Sequence, residues 1–97
     1  MKKFDVNSVD VTNCTDFELF CYRYVILVNK YRKYKSSLAY IYGLMDILVD
    51  IGSECSSLSL SEVAYETITA DQAEVLRCRY HKLKSLIMNR VIMLYML

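Results

Sequence analysis

The chain contains no proline and no tryptophan, only two glycines (Gly43 and Gly52) and a single histidine, His81. Without proline, no helix loses a backbone N–H or meets a pyrrolidine ring, and two glycines cannot serve the many tight turns of a strand-rich fold. A sheet of many short strands is thereby excluded, and long helices are expected.

One histidine and four scattered cysteines also limit the chemistry. Cys14, Cys21, Cys55 and Cys78 form no C-x-x-C pair, and His81 lies three residues from Cys78. Structural zinc needs four ligands with closely spaced pairs, so no metal and no cofactor is expected, and the cysteines read as small buried hydrophobes. There is no glycine-rich phosphate loop and no recognisable nucleophile motif, while Glu62, Glu66 and Asp71 lack the spacing of a metalloenzyme helix. The chain is expected not to be an enzyme.

Long hydrophobic runs are missing too. Residues 38 to 51 include Asp46 and Asp50, and residues 86 to 97 include Asn89 and Arg90; both stretches fall short of the roughly 18 apolar residues a membrane span requires. No apolar run follows Lys2 and Lys3 at the start, so a secretory leader is not expected, and a reduced, cytoplasmic setting is (a host cell interior if the source is viral). The many Tyr, Lys, Ile and Asn residues are those that an AT-rich coding sequence favours, as in viruses, phages and low-GC bacteria.

What the chain does have is apolar content, 55% of its 97 residues, including nine tyrosines. From Phe17 to Leu48 it holds a heptad seam for five repeats. Phe17, Tyr24, Tyr31, Leu38 and Met45 occupy one core position, and Phe20, Leu27, Tyr34, Ile41 and Leu48 follow three residues after each. Cys21, Val28, Tyr42 and Val49 widen the stripe beyond what a two-stranded coiled coil uses, which suits a bundle.

Residues 1 to 14 read as an extended or partly ordered arm, and residues 15 to 97 as one helical domain. Thr15-Asp16-Phe17-Glu18 is a capping box that starts a first helix, expected to run from about 15 to 51 and to stop at Gly52 before a serine-rich loop. Ser59-Leu60-Ser61-Glu62 and Thr69-Ala70-Asp71-Gln72 are two further capping boxes. They predict a short helix over about 60–67 and a long one over about 70–97, with the β-branched trio Thr67, Ile68 and Thr69 at the break. The seam of the last helix is Ala73, Leu76, Tyr80, Leu83, Ile87, Leu94 and Leu97, interrupted by Arg90. The fold class is therefore all-α: a long antiparallel helical hairpin, closing with a second copy as a homodimeric four-helix-type bundle. Tyr24, Tyr31, Leu38, Met45, Leu83, Ile87, Met93 and Leu94 are the candidates for that oligomer interface.

A net charge of +1 hides strong segregation. Arg23, Lys30, Arg32, Lys33 and Lys35 precede seven acids, Asp46, Asp50, Glu54, Glu62, Glu66, Asp71 and Glu74, after which come Arg77, Arg79, Lys82, Lys84 and Arg90. Folding as a hairpin would bring Lys30–Lys35 level with Arg77–Lys82. Arg23, Lys30, Arg32, Lys33, Lys35, Arg77, Arg79, Lys82 and Lys84 are thus the candidates for a partner-binding patch at mid-hairpin. Such a patch suits an acidic protein surface, or phosphates with the interleaved tyrosines stacking on bases.

The stretch Leu60-Ser61-Glu62-Val63-Ala64-Tyr65-Glu66-Thr67, with Ile68-Thr69-Ala70-Asp71-Gln72 and Arg77-Cys78-Arg79-Tyr80 after it, resembles the first helix and recognition-helix entry of helix-turn-helix regulators of the arabinose-regulator type. The resemblance covers under a quarter of the chain. Ile68 stands where that family's turn carries glycine, so no family assignment follows.

The expectation is a non-enzymatic, homo-oligomeric helical protein that binds an unidentified protein partner, as a small regulator or inhibitor of viral or phage type. The alternatives are a nucleic-acid-binding regulator using the basic patch, and peripheral membrane association through residues 86–97; a membrane is the partner least expected.

Overall fold

The computed structural model describes residues 14–36 and 40–96; of the arm expected over 1–14 all but Cys14 lies outside them, as do Leu38 and Leu97. The described residues hold no strand and form three α-helices: α1 (Asp16–Tyr34), α2 (Ile41–Ser59) and α3 (Ala70–Tyr95). A π-helical turn, Leu60–Ala64, extends α2.

Two of the three capping boxes form. The Glu18 amide donates to the Thr15 hydroxyl oxygen at 3.2 Å while the Glu18 carboxylate accepts from the Thr15 amide. Gln72 and Thr69 do the same at the start of α3, at 3.1 and 3.0 Å. At Ser59 no cap forms. That residue has helical backbone angles, its hydroxyl donates back to the Cys55 carbonyl, and the Glu62 carboxylate is held by Arg77 instead. The short helix expected over 60–67 is accordingly a single wide turn continuing α2. Its closing bonds are Tyr65 N–H to the Leu60 carbonyl and Thr67 N–H to the Ser61 carbonyl, with Glu66 between them at φ 55° in the left-handed region.

The single helix expected over 15–51 is two helices. α1 ends at Tyr34, where Arg32 and Lys33 suit the negative end of the helix dipole, and the Arg90 guanidinium donates to the Lys35 carbonyl, satisfying one of the helix's terminal acceptors. Gly43 then lets α2 return closely along α1, since a Cβ there would sit 2.7 Å from Cδ2 of Tyr34. The apolar pattern runs across this break but changes phase. In α1 the expected seam packs inward, with Phe20 and Leu27 buried and Phe17, Tyr24, Tyr31 and Tyr34 half-buried against the core. In α2 the expected Ile41 is buried and Leu48 half-buried, but the other buried residues are Leu44, Ile47, Ile51 and Leu58, and the expected Met45 is exposed, because a turn does not preserve helical phase. Gly52 and the serines after it lie inside α2 with negative φ, so the expected serine-rich loop is helix. The seam of α3 is buried as expected at Ala73, Leu76, Tyr80, Leu83, Ile87 and Leu94.

Contacts fix the directions. Arg23 to Glu54 and Tyr34 to Gly43 make α1 and α2 antiparallel, and Tyr80 to Glu54 and Arg77 to Glu62 make α2 and α3 antiparallel. Phe20 to Tyr80 and Lys35 to Arg90 make α1 and α3 parallel. The chain is an up-down-up three-helix bundle in place of a two-armed hairpin, and it closes one core within itself. The segment resembling a helix-turn-helix is part of this bundle: α3 packs back along α2 from Glu62 to Glu54 without crossing it after a short turn.

Candidate interaction surface

Up-down-up topology sorts the charges by end. The N-terminal turns of α1, the C-terminal half of α2 with its π turn, and the first turn and a half of α3 share one end of the bundle. Residues 15–22 and 50–75 carry Asp16, Glu18, Asp50, Glu54, Glu62, Glu66, Asp71 and Glu74 and no cation. At the other end, residues 30–36, 40–47 and 86–96 carry Lys30, Arg32, Lys33, Lys35 and Arg90 against the single acid Asp46.

This overturns the mid-hairpin patch. α1 and α3 run parallel, so Lys35 is level with Arg90 and Cys21 with Arg79, and the two basic clusters occupy different levels. Three of the expected binding cations are also engaged. Arg23 Nε donates to Glu54 Oε2 at 2.8 Å while its guanidinium lies 4.5 Å from the Phe20 ring centroid. Arg77 pairs with Glu62 at 2.5 Å, and Arg79 Nη1 lies 4.0 Å from the Cys21 sulfur. Lys30, Arg32, Lys33 and Lys35 remain exposed on the last turns of α1, and Lys82 and Lys84 are exposed on α3. The Lys33 and Lys35 ammoniums lie 5.6 and 5.7 Å from the Tyr34 and Tyr31 ring centroids.

Glu54 joins the three helices. Its carboxylate takes Arg23 from α1 and lies 3.4 Å from the Tyr80 hydroxyl of α3, whose proton is shared with the Phe20 carbonyl at 3.2 Å. Burial pushes the Tyr80 hydroxyl well above the ordinary tyrosine range, and the Glu54 charge pushes the same way. Burial likewise raises the Cys21 and Cys55 thiols, against the pull of Arg79 on the first and of Lys84 and Arg77 on the second. Beside this cluster an open groove of about 310 Å³ runs between α1 and α2, lined by Arg23, Ile26, Leu27, Asp50, Ser53 and Glu54. Its arginine and Glu54 already satisfy each other. His81 lies apart on the outer face of α3 with Lys82, Ser85, Leu86 and Asn89. Among the described residues no three His, Cys, Asp or Glu side chains converge on a metal position, and no helix is long and apolar enough to cross a membrane.

The oligomer-interface candidates divide. Leu83, Ile87 and Leu94 are buried in the chain's own core, out of reach of a second copy. Tyr24 is half-buried and packs edge-on against Tyr80 at 5.6 Å, and Tyr31 packs against the same core. Met45 and Met93 are exposed, and Leu38 lies outside the described residues. With them are exposed side chains that the sequence reading left off the interface. Tyr42 (75% exposed) and Val49 (72%) lie on α2, and Met88, Ile92, Tyr95 and Met96 on α3 and its cap. The signal for the first two was present in the extra apolar positions that widened the seam.

These residues are spread around the outer sides of α2 and α3. Cys55 of α2 lies within reach of the Lys84 and Arg77 charges of α3. Leu48, two turns before it, is on the same flank of α2, while Met45 and then Val49 lie progressively further round toward the outer face. Met88 and Ile92 continue the file of Lys84 at one-turn intervals on α3. Exposed apolar side chains thus stand on the outer sides of the adjacent helices α2 and α3 toward the basic end.

No protein-family model matches the chain, and no curated protein and no solved structure is similar to it.

Proposed function

We propose that the chain is a non-enzymatic helical module that self-associates and acts by occupying a macromolecular partner, as a small regulator inside the cell. The observation that carries this reading is the exposed apolar side chains on the adjacent helices α2 and α3. Met45, Val49 and Met88 remain exposed after the three-helix core has closed, and apolar files on two adjacent helices are the kind of surface an isologous two-fold contact covers. Two bundles meeting there would form a homodimer by lateral packing, each keeping its own core. The acidic end and the exposed lysines of α1 are then available for partners.

Sedimentation velocity across the micromolar range tests it. A concentration-dependent dimer is expected for the full chain, and Val49→Asp with Met88→Asp should yield a folded monomer with unchanged helical circular dichroism. A wild-type chain that stays monomeric at 100 μM would overturn the self-association, and so would a double variant that dimerises as tightly as wild type.

A further inference from the structure

We propose that the basic end of the bundle docks on the surface of an anionic lipid bilayer. The hairpin reading separated the two features that point there, and the up-down-up topology joins them. Arg90 is tied to the Lys35 carbonyl, so residues 91–95 of α3 extend past the level of the α1 C-terminus by about 7.5 Å at the usual helical rise, with Val91 and Leu94 still packed on the core. The outward side of that turn and the adjoining start of α2 expose Tyr40, Tyr42, Met93, Tyr95 and Met96, the last at 83%. Lys30, Arg32, Lys33 and Lys35 lie behind it on the last turns of α1.

An apolar tip with a basic collar one to two turns back matches the layering of a bilayer surface. Apolar side chains reach the acyl boundary at a depth of roughly 5–10 Å, tyrosines suit the interface, and lysine and arginine remain among the phosphates. Charge complementarity selects the lipid: this end holds five cations and one acid, Asp46, while the eight acids of the opposite end would face away. A nucleic acid is the poorer fit, since exposed methionines, Met93 and Met96, stand at the same end as the cations, and Tyr31 and Tyr34 are packed against the core and so withdrawn from bases. This goes beyond the self-association reading and uses other residues, with Met45, Val49 and Met88 at the lateral face.

The test is cosedimentation of the full chain with vesicles of phosphatidylcholine alone or with 30% phosphatidylserine. Binding to the serine-containing vesicles is expected to exceed binding to neutral ones and to weaken as salt is raised. Lys30→Gln, Lys33→Gln and Lys35→Gln together should lower partitioning roughly 100-fold, at about 5-fold per lysine. Since the chain has no tryptophan, Tyr95→Trp supplies a single reporter, whose emission should shift to the blue on vesicle addition. The Val49→Asp and Met88→Asp variant should still bind, which separates this proposal from self-association. Equal binding to both vesicle types, an unshifted indole emission from the Tyr95→Trp variant, or binding to single-stranded or duplex DNA with none to vesicles would each overturn it.

Discussion

Gly43 and Gly52 both lie in α2 nine residues apart, and replacing each with alanine should move stability in opposite directions. Gly52 has nothing within 4 Å of a built Cβ. Alanine there should therefore realise most of its helix-propensity advantage of about 1 kcal/mol. At Gly43 the same advantage applies, but the new Cβ would meet Tyr34 Cδ2 at 2.7 Å and Cε2 at 2.9 Å. Ordinary carbon contacts are about 3.5–4.0 Å, so the ring or the helix must yield by close to 1 Å. The Tyr34 ring is not free to do so cheaply, because Tyr40 packs on it with centroids 5.3 Å apart. Overpacking of this kind costs about 1–3 kcal/mol, which leaves Gly43→Ala destabilising by about 1 kcal/mol net. Urea unfolding followed by far-ultraviolet circular dichroism should separate the two variants by about 2 kcal/mol. Repeating Gly43→Ala on a Tyr34→Ala background should turn it stabilising, with a coupling energy above 1 kcal/mol. If Gly43→Ala stabilises as much as Gly52→Ala, or acts identically on both backgrounds, the close α1–α2 crossing is refuted.

Glu66 at φ 55° is in a region costly to any residue with a Cβ, so Glu66→Gly should stabilise by up to about 1 kcal/mol in the same unfolding assay. Arg90→Met removes the donor to the Lys35 carbonyl and should cost about 1 kcal/mol, with faster hydrogen exchange confined to the last turn of α1. For Tyr80 the folded hydroxyl titrates above its unfolded value, so the unfolded chain loses its proton first as pH rises. Its contribution is therefore complete below about pH 10, the ordinary tyrosine value, and declines above it. Tyr80→Phe should lose about 1 kcal/mol near neutrality, and its stability should fall less steeply than wild type between pH 9.5 and 11. Cys21 and Cys55, raised by burial, should react with iodoacetamide at pH 7.5 more slowly than exposed Cys78.

Much of the fold was legible in single residues. Thr15 and Thr69 marked true helix starts because their partners three residues on, Glu18 and Gln72, had no competing contact. Ser59 and Glu62 had the same local pattern, yet Arg77 took the glutamate from fifteen residues away, and nothing local announces that. The break after Tyr34 was hidden for a related reason. No proline or glycine marks it, and residues on either side are apolar because both face one core, so a period of seven ran through a turn unnoticed. Gly52, which looked like a stop, is tolerated inside α2 at a cost of about 1 kcal/mol.

The fate of the surface follows from that one missed break. In a hairpin, the basic run of α1 would face the basic run of α3 and form a single mid-length patch. With α2 interposed, α1 and α3 run parallel, and each cluster has a different neighbour. Arg23 and Arg77, nearest the acids, become structural through Glu54 and Glu62, while Lys30 to Lys35 are carried to the end where acids are scarce. The same reversal carries the apolar C-terminal turns of α3 to that end, where Val91 and Leu94 pack on the core and Ile92, Met93, Tyr95 and Met96 stay exposed. A chain of nearly zero net charge thereby becomes a bundle with an acidic end and a basic, apolar one. Its direction of approach to any charged surface is fixed by topology before any particular side-chain contact is made.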